Sequence, residues 1–398
     1  MARDQQRIER IRQAILEAKW DALVCSLPTN VLMVSGYWPV VGTSLAIINK
    51  EGRVGLVVPE DERDLAARGW AHVMRTFQGG SLDEIRDAVQ AVRGAMAHVV
   101  KELEVGRVIG YEHGAFHEPS SYASMHFYGA ALQGVISEAV PDARLVPAND
   151  SLTQLRSVKT PYEIERLKTA CQIAQEAYAK GHASIRVGLD ETQVAVGFRA
   201  ALSMDGIGRN GVERADGFTY CMSGPNGAEA YAAYQRSRSR VLAHGDLALV
   251  HCNSYADGYW TDITRTFCLG EPDARQRHLY EAIFAAREAA FKCIAPGAKN
   301  AAVDRAARET LEKRGFGKEF KHPSGHGVGF TAINHTARPR IHPASKGQLE
   351  TGMVFNVEPG IYFEGWGGMR HCDMVAVTED GFELLTPFQS SIEELIVV

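Results

Sequence analysis

Several features are scarce in this chain, and each scarcity closes off a class of function. No run of about 18 apolar residues occurs anywhere, so no membrane-spanning helix is expected. The opening stretch MARDQQRIERIRQAILEAKW carries charge throughout and lacks a continuous apolar segment, so it does not read as a secretory signal and a cytoplasmic location is expected. The 7 cysteines are odd in number and none stand in C-x-x-C spacing, which suits free thiols in a reducing compartment. A net charge of -5 with both signs interspersed leaves no basic stripe for a phosphate backbone, so nucleic acid is not an expected partner. No internal period and no low-complexity tract occurs, which sets solenoids and linker-rich architectures aside.

What is present is ordinary globular sequence, 45% hydrophobic and 23% charged. At 398 residues the chain exceeds what one core serves, so two domains are expected. Ile8, Ile11 and Ile15 mark an opening helix, followed by DALVCSLPTNVLMVSGY, read as a strand, a turn from Pro28 to Asn30 and a second apolar segment. SLAIINKEGRVGLVVP reads as a hairpin with Gly52 in its turn, RVIGYE as a strand, and 82–103 as an amphipathic helix between them. This α/β domain is expected over 1–153. A second domain, 154–398, opens on a helix with Pro161 in its first turn and Glu163 and Glu165 behind it. A helix from 191 to about 204, a hairpin over 246–269 and helices across 273–314 follow, and strands dominate the rest.

The chemistry concentrates in four segments: LALVHCNSYADGYWTDITRTF, HPSGHGVGF with INHTARPRI, GMVFNVEPGIY, and GGMRHCDMVAVTEDG. If the hairpin turn is centred between Ala256 and Asp257, His251 and Asp262 are directly opposite; if Asp257-Gly258 forms a two-residue turn, they are diagonal neighbours. Either way they share a face. Strand alternation likewise groups Asn356 with Glu358, and Arg370 with Cys372. Carboxylates aimed into a sheet interior are costly to bury unpaired, and a bound cation would offset that cost. Taken singly, His251 also suits a hydrogen-bonded core histidine and Cys372 a small buried hydrophobe.

These four motifs, with SLTQLRSVKTPYEIERLKTA and SLPTNVLMVSGY, resemble the creatinase, prolidase and aminopeptidase P family over nearly the whole chain. The resemblance implies an α+β fold: a pita-bread C-terminal domain preceded by a smaller α/β creatinase-type domain. Metal-dependent members carry five ligands in the order Asp, Asp, His, Glu, Glu, and their motifs fall here on His251, Asp262, His326, Glu358 and Cys372. Two of the five are therefore replaced. The reduced carboxylate charge suits one divalent ion, zinc foremost, with manganese or iron as alternatives. The resemblance further implies His335 as a proton relay beside the scissile bond, Glu358 as a proton carrier and Arg370 as a brace for Glu358 or a substrate carboxylate. Tyr234 stands where many relatives, creatinase included, have a histidine.

The expected activity is hydrolysis of an amide C-N bond in a small peptide, as Xaa-Pro peptidases perform it, by a homodimer. Two other classes compete. One is a metal-independent, creatinase-like hydrolase or lyase of a small nitrogenous metabolite, with His251, His326 or His335 as base; a variant of it pairs Cys372 with His251 as nucleophile and base. The other is a non-catalytic module that binds peptides.

Overall fold

The computed structural model describes residues 3–114, 126–233, 236–332 and 337–398. His335 and Tyr234 lie outside the described residues. The chain divides into two compact units, Met1–Arg156 and Ser157–Val398.

The first unit is built on a six-stranded sheet. Its strands are β1 (Ala22–Cys25), β2 (Leu45–Asn49), β3 (Val54–Pro59), β4 (Val73–Phe77), β5 (Val108–Tyr111) and β6 (Arg144–Pro147), in the order β4-β3-β2-β1-β5-β6. β1, β2 and β3 pair antiparallel, whereas β3 with β4, β1 with β5 and β5 with β6 run parallel. The β2-β3 hairpin turns through Gly52, whose φ of 82° is open to glycine at little cost. The amphipathic segment forms the helix Ala88–Glu102, capped by Asp87 and burying Val92, Met96, Val99 and Val100. One local expectation fails: Pro28 to Asn30 is not a turn. The helix Pro28–Ser35 starts there, and every one of its residues is buried. A helix covered on all sides has no polar stripe, so its sequence shows no helical period.

The second unit opens on the helix Pro161–Ser184, where Thr160 and Glu163 form a capping box and Pro161 occupies the first turn. The helices Glu191–Gly206 and Ala274–Phe291 start on capping boxes as well, from Asp190 and Asp273. The main sheet of this unit contains β7 (Ala215–Ser223), β8 (Leu247–Ala256), β9 (Tyr259–Trp260), β10 (Ile263–Leu269) and, later in sequence, β18 (Ile396–Val397), ordered β18-β10-β8-β7 with β9 on β8. Between β10 and β18 lie β11 (Gly325–His326), β12 (Arg340–Ile341), β13 (Val354–Val357), β14 (Gly360–Phe363), β15 (Gly367–Arg370), β16 (Asp373–Val377) and β17 (Phe382–Leu384). β11 pairs with β12, β14 with β15, and β13-β16-β17 make a three-stranded sheet, all antiparallel.

The sheet has two unlike faces. On one, the Tyr178 hydroxyl of the first helix donates to the carbonyls of Val250 (3.1 Å) and Ile263 (2.9 Å), and Tyr178 packs against Phe198 in a core with Cys252 and Phe267. The other face carries the polar residues. A buried ion network joins β10 to β16 and to the helix Ala274–Phe291: Asp373 accepts from Arg265 Nη2 (2.7 Å), Arg287 Nε (2.5 Å) and Thr386 Oγ1 (2.7 Å), and Arg265 Nη1 also donates to the Cys372 carbonyl (2.7 Å). Among the described residues no helix is long and apolar enough to cross a membrane.

Candidate active site

The β8-β10 hairpin fixes the first part of the site. Asp257 (φ 48°) and Gly258 (φ 85°) occupy the two central turn positions, the left-handed pair that a tight hairpin needs. Asp257 anchors that turn by accepting from the Arg214 N-H (2.9 Å) and from Arg166 Nη2 (2.6 Å). The resulting register pairs Thr264 with His251 and Trp260 with Tyr255. His251 and Asp262 are therefore diagonal neighbours on the polar face, the second of the two arrangements the sequence allowed, with Nδ1 of His251 3.8 Å from Oδ1 of Asp262.

His326 reaches the same place from β11, and glycines explain how. A Cβ on Gly325 would collide with the Asn356 carbonyl oxygen, and one on Gly327 with the Arg338 carbonyl oxygen, so only glycine lets the backbone lie this close on both sides of His326. The His326 N-H donates to Asn356 Oδ1 (2.6 Å), and the preceding Ser324 donates its N-H (2.9 Å) and hydroxyl (2.8 Å) to the buried Asp304. Ser324 in turn accepts from the Glu358 N-H (2.9 Å), which brings the end of β13 to the site. As a result His326 Nε2 stands 3.4 Å from Asp262 Oδ2 and 4.0 Å from Glu358 Oε1.

The charges in this cluster settle against one another. Burial disfavours a charged His326, but the hydrogen bond to Asp262 and the charges of Asp262 and Glu358 outweigh it and raise the imidazole pKa to about 9. Burial likewise works against ionised Asp262, and the His326 hydrogen bond with the nearby cations brings its pKa below the ordinary value. Glu358 goes the other way: burial first, then the Asp262 charge, lift it to about 7 although Arg370 and His326 oppose the rise. Arg370 Nε lies 3.9 Å from Glu358 Oε2. Glu358 and His326 keep 12% and 21% of their side chains exposed, so the cluster remains open to a small molecule.

His251 and Cys372 are placed in this cluster but are engaged differently. The His251 ring meets Thr264 Oγ1 (3.0 Å) and Arg370 Nη2 (3.0 Å) at Nδ1, and Asn253 Oδ1 (3.0 Å) at Nε2. A guanidinium only donates, so Nδ1 is the acceptor and the proton sits on Nε2. Burial, with Arg370 close by, lowers this imidazole to about 4 against the pull of Asp262, so it is neutral. Cys372 Sγ donates to the Asp262 carbonyl (3.2 Å) and lies 3.7 Å from Asp262 Oδ1. Burial and the nearby carboxylates push its thiol well above the ordinary range. The hydrogen bonds described thus tie His251 to Thr264, Arg370 and Asn253, and Cys372 to Asp262.

Among the described residues no three His, Cys, Asp or Glu side chains form a preassembled metal cage. Asp262, His326 and Glu358 are the acidic and imidazole side chains gathered around one atom, His326 Nε2, within 4.0 Å. Donor separations of about 3–4 Å suit atoms that share an ion about 2.1 Å away, and one nitrogen with two carboxylates is a set that divalent ions accept. These three are the side chains that could hold an ion. His251 Nδ1 faces Arg370 Nη2 at 3.0 Å and Cys372 Sγ the Asp262 carbonyl oxygen at 3.2 Å, so both are turned to protein groups.

Four contributors escaped the sequence reading. Thr264 and Asn253 hold His251, and both are two residues from a named site residue on the same strand face, so alternation could have flagged them. Tyr362 meets His322 Nε2 (2.8 Å) and hydrogen-bonds Arg370, a contact from β14 that no spacing announces.

Comparison with known proteins identifies the family. Residues 165–379 match the profile of Metallopeptidase family M24, and residues 7–158 that of the Creatinase/Prolidase N-terminal domain. A probable dipeptidase PepE of Mycobacterium bovis is 33% identical over 276 residues, covering 66% of this chain and 70% of the relative. An Xaa-Pro dipeptidase of Pyrococcus furiosus is 29% identical across 96% of this chain and 97% of its own. The crystal structure of an X-Pro aminopeptidase from Thermotoga maritima superimposes with a TM-score of 0.78 at 26% identity, covering 98% of this chain and 99% of that one. The chain belongs to metallopeptidase family M24, with the creatinase/prolidase two-domain build, and is a peptidase-class hydrolase.

Proposed function

We propose that this protein hydrolyses the amide C-N bond of small peptides of the Xaa-Pro type, using Asp262, His326 and Glu358 to hold one divalent ion, zinc foremost. The observation that carries the reading is the approach of Asp262 Oδ2 and Glu358 Oε1 to one imidazole nitrogen, at 3.4 and 4.0 Å. The relatives named as Xaa-Pro dipeptidase and X-Pro aminopeptidase support the substrate class. A divalent ion held there supplies polarisation of a carbonyl and acidifies water. Glu358 is the proposed proton carrier between water and the leaving nitrogen. Arg370 holds that carboxylate by charge from 3.9 Å. His335 is the proposed proton relay at the leaving group, and Tyr234, standing where many relatives have a histidine, is a further catalytic candidate.

The same sheet face suggests what lies beside the scissile bond. Phe218 pairs with Asn253 across β7-β8, and Tyr255 with Trp260 across β8-β9, which places these half-buried rings on the face that carries Asp262. Phe218 and Trp260 are parallel within 2° at 6.3 Å, and Tyr255 tilts against Trp260 at 4.9 Å. Such a surface suits an apolar side chain or a pyrrolidine ring.

Elemental analysis of chelator-free protein, with Xaa-Pro dipeptide hydrolysis measured before and after chelation, tests the reading. About one ion per chain, lost with the activity in His326→Ala, is expected. Hydrolysis that survives complete chelation overturns it in favour of a metal-independent mechanism, and binding of dipeptides without turnover overturns it in favour of a peptide-binding module. The cytoplasm is the proposed compartment, supported by 7 free cysteines, 6 of them buried. A homodimer is proposed on family resemblance, and sedimentation equilibrium tests it.

A further inference from the structure

We propose that His251 is a positioning residue that holds Arg370 as the permanent second cation of the site, and that neither His251 nor Cys372 takes part in metal binding. The proposal rests on the reading that Asp262, His326 and Glu358 hold an ion, and adds that the site stops at one.

The geometry of the His251 ring carries the argument. Its single lone pair, on Nδ1, faces Arg370 Nη2 at 3.0 Å, while Arg370 Nε donates to Thr264 Oγ1 (3.1 Å) and that hydroxyl lies 3.0 Å from the same Nδ1. Three groups thus close a ring of hydrogen bonds around the guanidinium's edge. The opposite ring nitrogen is bound to Asn253 Oδ1, and the orientation of that amide is fixed because its Nδ2 faces the Thr261 carbonyl at 3.5 Å. Reversing the amide would require a proton on Nδ1, directly against an Arg370 N-H. An ion on Nδ1 would have to stand where the guanidinium stands, and two cations at hydrogen-bond distance repel. Arg370 is itself buried, at 4% exposure, and its Nη2 and Nε are both committed to this arrangement.

Cys372 tells the same story from the neighbouring strand. Its sulfur hydrogen is directed at the Asp262 carbonyl oxygen at 3.2 Å, with a carboxylate oxygen of the same residue 3.7 Å away. A sulfur surrounded by oxygen acceptors serves as a donor. It pins the backbone of Asp262, whose side chain faces His326, so Cys372 orders a ligand without being one. The two residues that depart from the five-ligand pattern therefore form a scaffold: one holds a cation, the other holds a carboxylate-bearing backbone.

Metal-stripped full-length protein titrated with Co2+ tests this, because cobalt bound to thiolate gives an intense near-ultraviolet charge-transfer band. Expected are one Co2+ per chain, no thiolate band, and metal affinity in His251→Ala and Cys372→Ala lowered by no more than the roughly 10- to 100-fold typical of removing an outer-shell partner. His326→Ala loses the ion. A thiolate band that disappears in Cys372→Ala, a second equivalent of Co2+, or a loss of the ion in His251→Ala as complete as in His326→Ala overturns the proposal. If wild-type protein takes up no cobalt, the one-ion reading itself has failed, and 15N NMR of the His251 ring then decides the positioning role. A neutral ring protonated at Nε2, with an Nδ1 signal that moves in Arg370→Met, upholds it; a proton on Nδ1 refutes it.

Discussion

Asp373→Asn is the substitution with the most to say about how the site is kept in place. The carboxylate is 0% exposed and neutralises two guanidiniums, with Arg265 Nη2 at 2.7 Å and Arg287 Nε at 2.5 Å. Asparagine keeps the shape and one acceptor oxygen but leaves buried Arg265 without the carboxylate that neutralises it and Arg287 with Glu288 alone, at 2.8 Å. Breaking a buried pair by removing one partner costs about 3–5 kcal/mol. Arg265 retains carbonyl partners at Phe388 (2.9 Å) and Cys372 (2.7 Å), which argues for the lower end of that range. For a unit of this size, about 3 kcal/mol lowers the melting temperature by roughly 6–12 °C.

Thermal and urea unfolding of both proteins, repeated across pH, is the assay. Burial opposes ionisation of Asp373, yet Arg265 and the other cations hold its pKa well below the ordinary carboxylate value. A depressed folded-state pKa contributes stability that is present above the unfolded value, about 3.9, and fades as pH falls below it. The gap between wild type and Asp373→Asn should therefore be widest above about pH 4 and narrow on further acidification. A loss under about 1 kcal/mol at neutral pH, the scale of an exposed pair, would refute the claim that this network supports the site.

Two more outcomes are expected. Gly325→Ala sets a Cβ against the Asn356 carbonyl and should destabilise the second unit by about 1–3 kcal/mol while weakening the metal site through His326, read by melting and metal titration; an unchanged protein would mean that close approach does not position His326. Trp260→Ala should raise KM for dipeptides with apolar or ring side chains by roughly 5- to 10-fold, the worth of about 1–1.5 kcal/mol of ring contact, and leave Gly-Gly little changed; an equal effect on both would remove the aromatic face from substrate recognition.

Much of this protein was legible because its signals are local. The β8-β10 hairpin could be drawn from alternation and Asp-Gly alone, down to two candidate registers, and the choice between them needed only the turn. Pro161 and Glu163 likewise announced their helix. The helix at Pro28 was hidden because full burial erases the periodicity that reveals helices. The condition of His251 was hidden for a different reason. Its identity and position could be read, but whether its lone pair faces an ion or a guanidinium depends on Arg370, which is 119 residues away. Arg265 and Asp373, separated by 108 residues, show the same limit: sequence reveals two charges, and only the fold reveals that they meet.

The Asp257-Gly258 turn has a consequence for how this site can change over evolutionary time. Because side chains alternate across a strand, adding or deleting a single residue in that turn would carry His251 or Asp262 to the opposite, helix-covered face. Arg166 and the Arg214 N-H hold Asp257 against such slippage. The hairpin therefore behaves as a fixed reading frame. Its chemistry can be rewritten one letter at a time, a ligand becoming a brace or a brace a ligand, while the frame that aligns the letters tolerates no insertion.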